Sequence, residues 1–255
     1  MRRVHAYGVG LPRPGTHSIA GLLGRSLRSE HEPLAATTLR EIRLWQQGKR
    51  TDETHRTFLL LRDRHLGFEV EASHFLVYST PMLAELFPRA RFVFTVREPA
   101  SWLDSEMTQN LVTDALPGRE WREYEEHRYS GRVRPGETPV LPANARLFPL
   151  QAYLRYWVDH CDRILKAVPP DRLLLVFTHE LTQRVDEVAR FVGVAPDTLD
   201  LSSKQLDSNE KRRRGDAAQE FGRDRVVQGI REICLPWIQA QLPALIPALA
   251  ERGVA

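Results

Sequence analysis

Only two cysteines, Cys161 and Cys234, occur in 255 residues. They share no metal-ligand spacing and are too few for a disulfide framework. Both lie in apolar-periodic surroundings, which predicts buried thiols. No apolar run approaches the roughly 20 residues that a membrane-spanning helix needs. Arg2 and Arg3 precede strand-like residues rather than the apolar core and cleavage site of a secretion signal, so a reducing cytoplasm is the expected compartment. Charge of one sign is scarce too. The 36 basic and 33 acidic residues leave a net charge of +3, too little by itself to argue for nucleic acid, whereas a local basic site for a small anion fits equally well. There is no internal repeat and no visible metal-binding cluster. What remains is a soluble globular composition, 42% hydrophobic and 27% charged, long enough to bury one sizeable core as a single domain over residues 1–255.

The first eighteen residues carry the most information. The apolar run Val4-His5-Ala6-Tyr7-Gly8-Val9-Gly10-Leu11 ends in a turn, Pro12-Arg13-Pro14-Gly15, and the apolar-periodic segment Ile19, Leu22, Leu23, Leu27 begins at once. The pattern predicts strand, loop, helix. Such a loop aims backbone N–H groups and the positive end of a helix dipole at one point, which suits a phosphate or a sulfate. Gly10 and Gly15 have the spacing of the nucleoside-triphosphate loop G-x-x-x-x-G-K-[ST]. Thr16, however, stands where that motif requires lysine, and the only long cation in the loop is Arg13. An anion cradle of another kind is expected.

Farther along, Thr38–Gln47 and Asp52–His65 read as helices, and Gly67–Ala72 alternates with the period of a second strand. Ser79–Phe87 reads as a short helix stopped by Pro88. Arg91–Val96 is a near-continuous apolar run, as in a buried parallel strand. Pro99 opens the helix Ala100–Asn110, where a missing N–H costs nothing. From about 116 to 149 the chain is broken by Pro117, Pro135, Pro139, Pro142 and Pro149, with charges and the aromatics Trp121, Tyr124 and Tyr129 interspersed. A long stretch without periodicity suggests a lid or acceptor-binding segment. Leu150–Val168 resumes as a helix, Arg172–Phe177 reads as a fourth strand, and Thr182–Val192 as a helix ended by Gly193. The tail, with Pro236, Pro243 and Pro247, reads as short helices. Strands alternating with helices predict a three-layer α/β/α fold around a parallel sheet.

Ligands of such sheets sit outside the carboxyl ends of the strands, and three polar clusters follow three of the expected strands. The first is Arg13, Pro14, Gly15, Thr16, His17 and Ser18. The second is Glu69, Glu71 and His74; the two carboxylates share one strand face, which also suits an exposed edge paired with arginine. The third is Arg97 with Ser105 eight residues on, a guanidinium fork and a hydroxyl across a strand–helix corner, suited to a second phosphate. Two anion sites on one sheet point to a nucleotide with phosphates at both ends.

These residues resemble a known family. Pro12-Arg13-Pro14-Gly15-Thr16-His17 is similar to the 5′-phosphosulfate loop of sulfotransferases that use 3′-phosphoadenosine 5′-phosphosulfate (PAPS). Arg97-Glu98-Pro99 with Ser105 resembles that family's 3′-phosphate motif. Strand 68–72 running into Ser73-His74-Phe75 resembles the glutamate-bearing strand of the carbohydrate- and protein-modifying branches. The resemblance spans about residues 4–195. It extends to Lys211-Arg212-Arg213-Arg214-Gly215, which is similar to a late basic loop that reaches the 3′-phosphate. It departs at Ser18 and Thr178, where aromatic residues stand in the cytosolic branch, and at Ala72, where several branches have lysine.

The resemblance implies a P-loop NTPase-like topology and transfer of a sulfuryl group from PAPS to a hydroxyl of a small-molecule or carbohydrate acceptor. Neither a metal, nor nucleic acid, nor a membrane span is implied. Arg13 is expected to meet the charge on the leaving phosphate, and Arg97, Ser105, Arg213, Arg214 and Gly215 to bind the 3′-phosphate. The acceptor proton requires a base; Glu71 is the first choice, with Glu69 and His74 as alternatives. A kinase or NTPase of P-loop type shares the architecture but wants a lysine at position 16. A non-catalytic nucleotide-binding protein is the third reading.

Overall fold

The computed structural model describes residues 3–13, 16–112, 118–199 and 216–255, with the backbone alone at 16, 17 and 112. Its elements are, in chain order, β1 (Ala6–Gly8), α1 (Thr16–Leu23), β2 (Ser29–His31), α2 (Ala35–Gln46), α3 (Asp52–Leu66), β3 (Val70–Ala72), α4 (Thr80–Leu86) and β4 (Arg91–Val96). Then follow α5 (Pro99–Val112), α6 (Arg119–Tyr129), α7 (Leu150–Ala167), β5 (Leu173–Phe177), α8 (Val185–Val192), α9 (Ala217–Phe221), α10 (Arg223–Gly229), α11 (Leu235–Gln241) and α12 (Ile246–Glu251). The described residues form two compact units, one of residues 3–96 and 161–199, the other of residues 97–160 and 216–255.

The first unit is built on a five-stranded sheet in the order β2-β3-β1-β4-β5, parallel throughout. From β1 the chain crosses to the edge strand β2, returns to β3 beside β1, and then passes to the other side for β4 and β5. The strand order therefore reverses at β1, and in open parallel sheets that reversal marks the ligand crevice. Alternation along the strands sorts the two faces. Ala6, Val70, Val93 and Val176 pack with Ile19, Leu22 and Leu23 of α1 and with Val185, Val188, Ala189 and Val192 of α8. On the opposite face Tyr7 stacks on Phe92 at 5.4 Å between ring centroids, and Arg62 of α3 reaches Glu71. The result is the expected three-layer α/β/α arrangement. Gly8 has no alternative in the middle of it, because a Cβ there would lie 2.9 Å from the Cβ of Ala72 on the neighbouring strand.

Local chemistry explains the helix boundaries. Thr51 caps α3 by accepting the Thr54 N–H at 3.2 Å, Asp52 and Glu53 occupy the positive end, and Gly67 closes it in the left-handed conformation. Two expectations needed correction. Ser29–His31 is a strand, although three polar residues give no alternation to read; it is an edge strand whose partner β3 supplies the pairing. Arg119–Tyr129, inside the segment expected to lack periodicity, is a helix. Its buried face consists of Tyr124, Arg128 and Tyr129, so a charged residue occupies an inward position and hides the period.

In the second unit the Arg128 guanidinium lies over the rings of Tyr129, Tyr156 and Tyr124, at 4.7, 5.2 and 5.3 Å from their centroids, and pairs with Glu125 and Glu106. Cys161, in the first unit, and Cys234, in the second, are both buried, as their surroundings predicted.

Candidate active site

The loop after β1 continues the ladder for one residue, with Val9 N–H donating to Val93 O at 3.0 Å, and then turns. At the turn Arg13 takes φ 71, a left-handed backbone that few non-glycine residues adopt. α1 starts three residues later and has no acidic residue in its first turn, so no carboxylate of its own offsets the positive end. Ser18 is buried. Pro14 and Gly15 lie outside the described residues, as do the side chains of Thr16 and His17.

The second cluster is buried rather than on an exposed edge, since β3 is an interior strand. Glu71 is held by a two-pronged ion pair: Arg62 Nη1 donates to Oε2 at 2.6 Å and Nη2 to Oε1 at 2.7 Å, while Ser73 Oγ donates to Oε1 at 3.0 Å. Arg62 also donates to the Pro33 carbonyl at 2.8 Å and to Thr38 Oγ1 at 2.9 Å. Glu69 accepts from the backbone N–H groups of Arg3 at 2.9 Å and Arg28 at 3.1 Å, and from Arg3 Nε at 3.2 Å. The Arg3 hydrogen bonds hold its carboxyl down to about 2 against the opposing effect of burial. His74 lies just past β3, buried, with Nδ1 at 2.6 Å from Glu32 Oε1. Arg62 and Glu32 were not anticipated. The charged cluster Glu30-His31-Glu32 is visible in the sequence, but its partner stands 42 residues away.

In the second unit Arg97 directly follows β4, and its carbonyl accepts from Trp157 Nε1 at 3.0 Å. The rest of the Arg-Glu-Pro segment has a plain physical role. Glu98 caps α5 with both carboxylate oxygens, accepting from Ala100 N at 2.7 Å and Ser101 N at 2.8 Å, and Pro99 occupies the first turn. Ser105 lies on α5 beside Asp104. Asp104 accepts the Ala217 N–H at 2.9 Å, and burial pushes its carboxyl up. Arg213, Arg214 and Gly215 lie outside the described residues, but the chain resumes at Asp216–Ala217 anchored on this same turn of α5.

The segment expected to cover an acceptor is tied down within its own unit. Glu137 takes Arg155 at 2.7 and 2.8 Å, Val140 N–H donates to Gln151 Oε1 at 2.9 Å, and Asn144 N–H to Glu220 at 2.8 Å. Tyr124 and Tyr129 are buried and serve packing, while Trp121 is half-buried.

A five-stranded parallel sheet in this order, flanked by helices, is a P-loop NTPase-like α/β fold. The sulfotransferase-domain model matches residues 7–197. The chain belongs to the sulfotransferase family and is a sulfotransferase enzyme. Its fold is that of a sulfotransferase from Alicyclobacillus acidocaldarius, at a TM-score of 0.55 and 16% identity over 96% of both chains. Mouse sulfotransferase SULT7A1 complexed with PAP also matches, at a TM-score of 0.40 and 14% identity over 91% of this chain and 66% of that one. No curated protein matches by sequence. Among the described residues, no helix is long and apolar enough to cross a membrane.

Proposed function

We propose that the enzyme transfers the sulfuryl group of PAPS to a hydroxyl of a small-molecule or carbohydrate acceptor and releases adenosine 3′,5′-bisphosphate. The observation that carries this reading is the β1–α1 turn: a cation on a left-handed backbone at the carboxyl end of the central strand, followed by a helix start without an acidic residue. Such a turn suits a phosphosulfate, and Thr16 in place of lysine disfavours a nucleoside triphosphate.

In the chemical step the acceptor oxygen bonds to sulfur while the bond between sulfur and the bridging oxygen breaks. The leaving electron pair stays on the phosphate. Arg13 and the N–H groups of residues 16–18 meet the charge that develops there, as preorganised donors that cost no reorganisation during reaction. Arg97 and Ser105 bind the 3′-phosphate, assisted by Arg213, Arg214 and Gly215; the anchoring of Ala217 on Asp104, next to Ser105, supports this grouping. We assign the base to His74. A proton placed on Glu71 would leave the buried Arg62 uncompensated, and Glu69 is held as a carboxylate by Arg3. Both carboxylates keep structural roles, which supports the imidazole for proton transfer.

Thermal scanning with adenosine 3′,5′-bisphosphate, PAPS and ATP–Mg tests the donor. Stabilisation by the first two and none by ATP–Mg is expected. The reverse pattern points to a phosphotransferase and overturns the proposal.

A further inference from the structure

β2 and β3 end side by side. The Glu32 N–H donates to Ala72 O at 3.1 Å, one residue beyond the last register pair, His31 with Ala72. The chain then bends sharply, with Glu32 at φ 53 and Leu34 at φ 52, two non-glycine residues on left-handed backbone within three positions. Backbone of this kind persists only where its surroundings over-determine it. Here the surroundings are Arg62. Its fork binds Glu71 on β3, the Pro33 carbonyl in the bend and Thr38 on α2, so one buried guanidinium ties the bend to the sheet. The bend in turn sets Glu32 Oε1 at 2.6 Å from His74 Nδ1.

From this chain of contacts we infer that Glu32 is a positioning residue for proton transfer at His74, with the Arg62–Glu71 pair fixing the bend that carries it. The inference rests on the assignment of His74 as the base. An ionised carboxylate only accepts hydrogen bonds, so a short contact at Nδ1 places the ring proton there. That leaves the ring's lone pair on Nε2, the atom that takes the acceptor proton in this assignment. As the acceptor oxygen bonds to sulfur, its proton moves to Nε2, and Glu32 offsets the charge of the imidazolium that forms. Carboxylate–histidine pairs in hydrolases divide the work in the same way. His31 also borders the pair, with its Nε2 3.7 Å from the same Glu32 oxygen. Glu71 thus contributes to the chemistry through two intermediaries rather than by taking the proton.

The decisive experiment reads the tautomer of His74 by long-range proton–nitrogen NMR on histidine-labelled protein at a pH where the ring is neutral, with His74→Asn to assign the signal. The Nδ1–H form should dominate in the native protein. In Glu32→Ala, and in Glu32→Asn, which suits the left-handed backbone better, the population should move to the Nε2–H form. Turnover of PAPS with a panel of sugar and phenol hydroxyls should fall about 10²-fold in both variants, within the range of general-base contributions. Affinity for adenosine 3′,5′-bisphosphate should stay within twofold of the native value. An unchanged tautomer in both variants overturns the positioning role. Full turnover in His74→Asn overturns the base assignment beneath it, so the two failures are separable.

Discussion

Arg62 and Glu71 form a buried two-pronged ion pair, with both nitrogen–oxygen contacts at 2.6–2.7 Å, across the interface between α3 and β3. It replaces the apolar contact usual at an interior strand of a parallel sheet. Removing one partner strands the other charge without water. Arg62→Ala should therefore cost about 3–5 kcal/mol of folding stability, and Arg62→Met combined with Glu71→Leu should recover most of it. A double-mutant cycle in chemical denaturation measures the coupling; additive losses would remove the pair from the account.

Arg97 is assigned to the 3′-phosphate. Arg97→Ala should weaken adenosine 3′,5′-bisphosphate by about 2–5 kcal/mol, the usual cost of truncating one member of a desolvated charge pair. Calorimetry with 5′-AMP is the control, since that ligand lacks the group. Equal losses for both ligands would mean that Arg97 does not read the 3′-phosphate.

Arg13 is assigned to the transition state. Arg13→Ala should lower kcat by about 10²–10³-fold, the effect of deleting one preorganised donor, with a much smaller loss in bisphosphate affinity. A raised KM at unchanged kcat would reduce Arg13 to a binding residue.

His55 makes stability depend on pH. Its ring stacks on Trp45 at 4.4 Å, Nε2 meets Ser79 Oγ at 2.9 Å, and burial holds its titration down to about 4 while Glu41 and Asp52 act weakly the other way. The unfolded chain takes up this proton near 6.5, before the folded protein does. The His55 contribution is therefore complete above 6.5 and lost as pH falls from there towards 4. Thermal midpoints should drop through that window, and His55→Phe should flatten the drop. An unchanged slope in the variant would place the pH dependence elsewhere.

Much of this protein was legible in its sequence. Gly/Pro punctuation, apolar periodicity and caps act within a few residues, so β1, α1, α3, β4 and α5 could be read locally. The spacing of Arg13 to Ser18 and of Arg97 to Ser105 follows from the same strand–turn–helix corners. β2 was not legible, because Ser29-Glu30-His31 becomes a strand only through backbone pairing with β3. α6 was not legible either, because its inward Arg128 is neutralised by Glu106, 22 residues earlier.

The sequence by itself thus determined the alternation of elements, the anion loop and the family resemblance, all of which rest on near-neighbour chemistry. Only the tertiary structure decided what the carboxylates do. Glu69 and Glu71 stand two residues apart, and the sequence offers both as bases with Glu71 first, yet Arg3 holds one and Arg62 the other. Glu32 reaches His74 only because a parallel sheet brings the ends of β2 and β3 together. The state of a buried charge depends on the partner the fold delivers to it, and no local pattern encodes that partner.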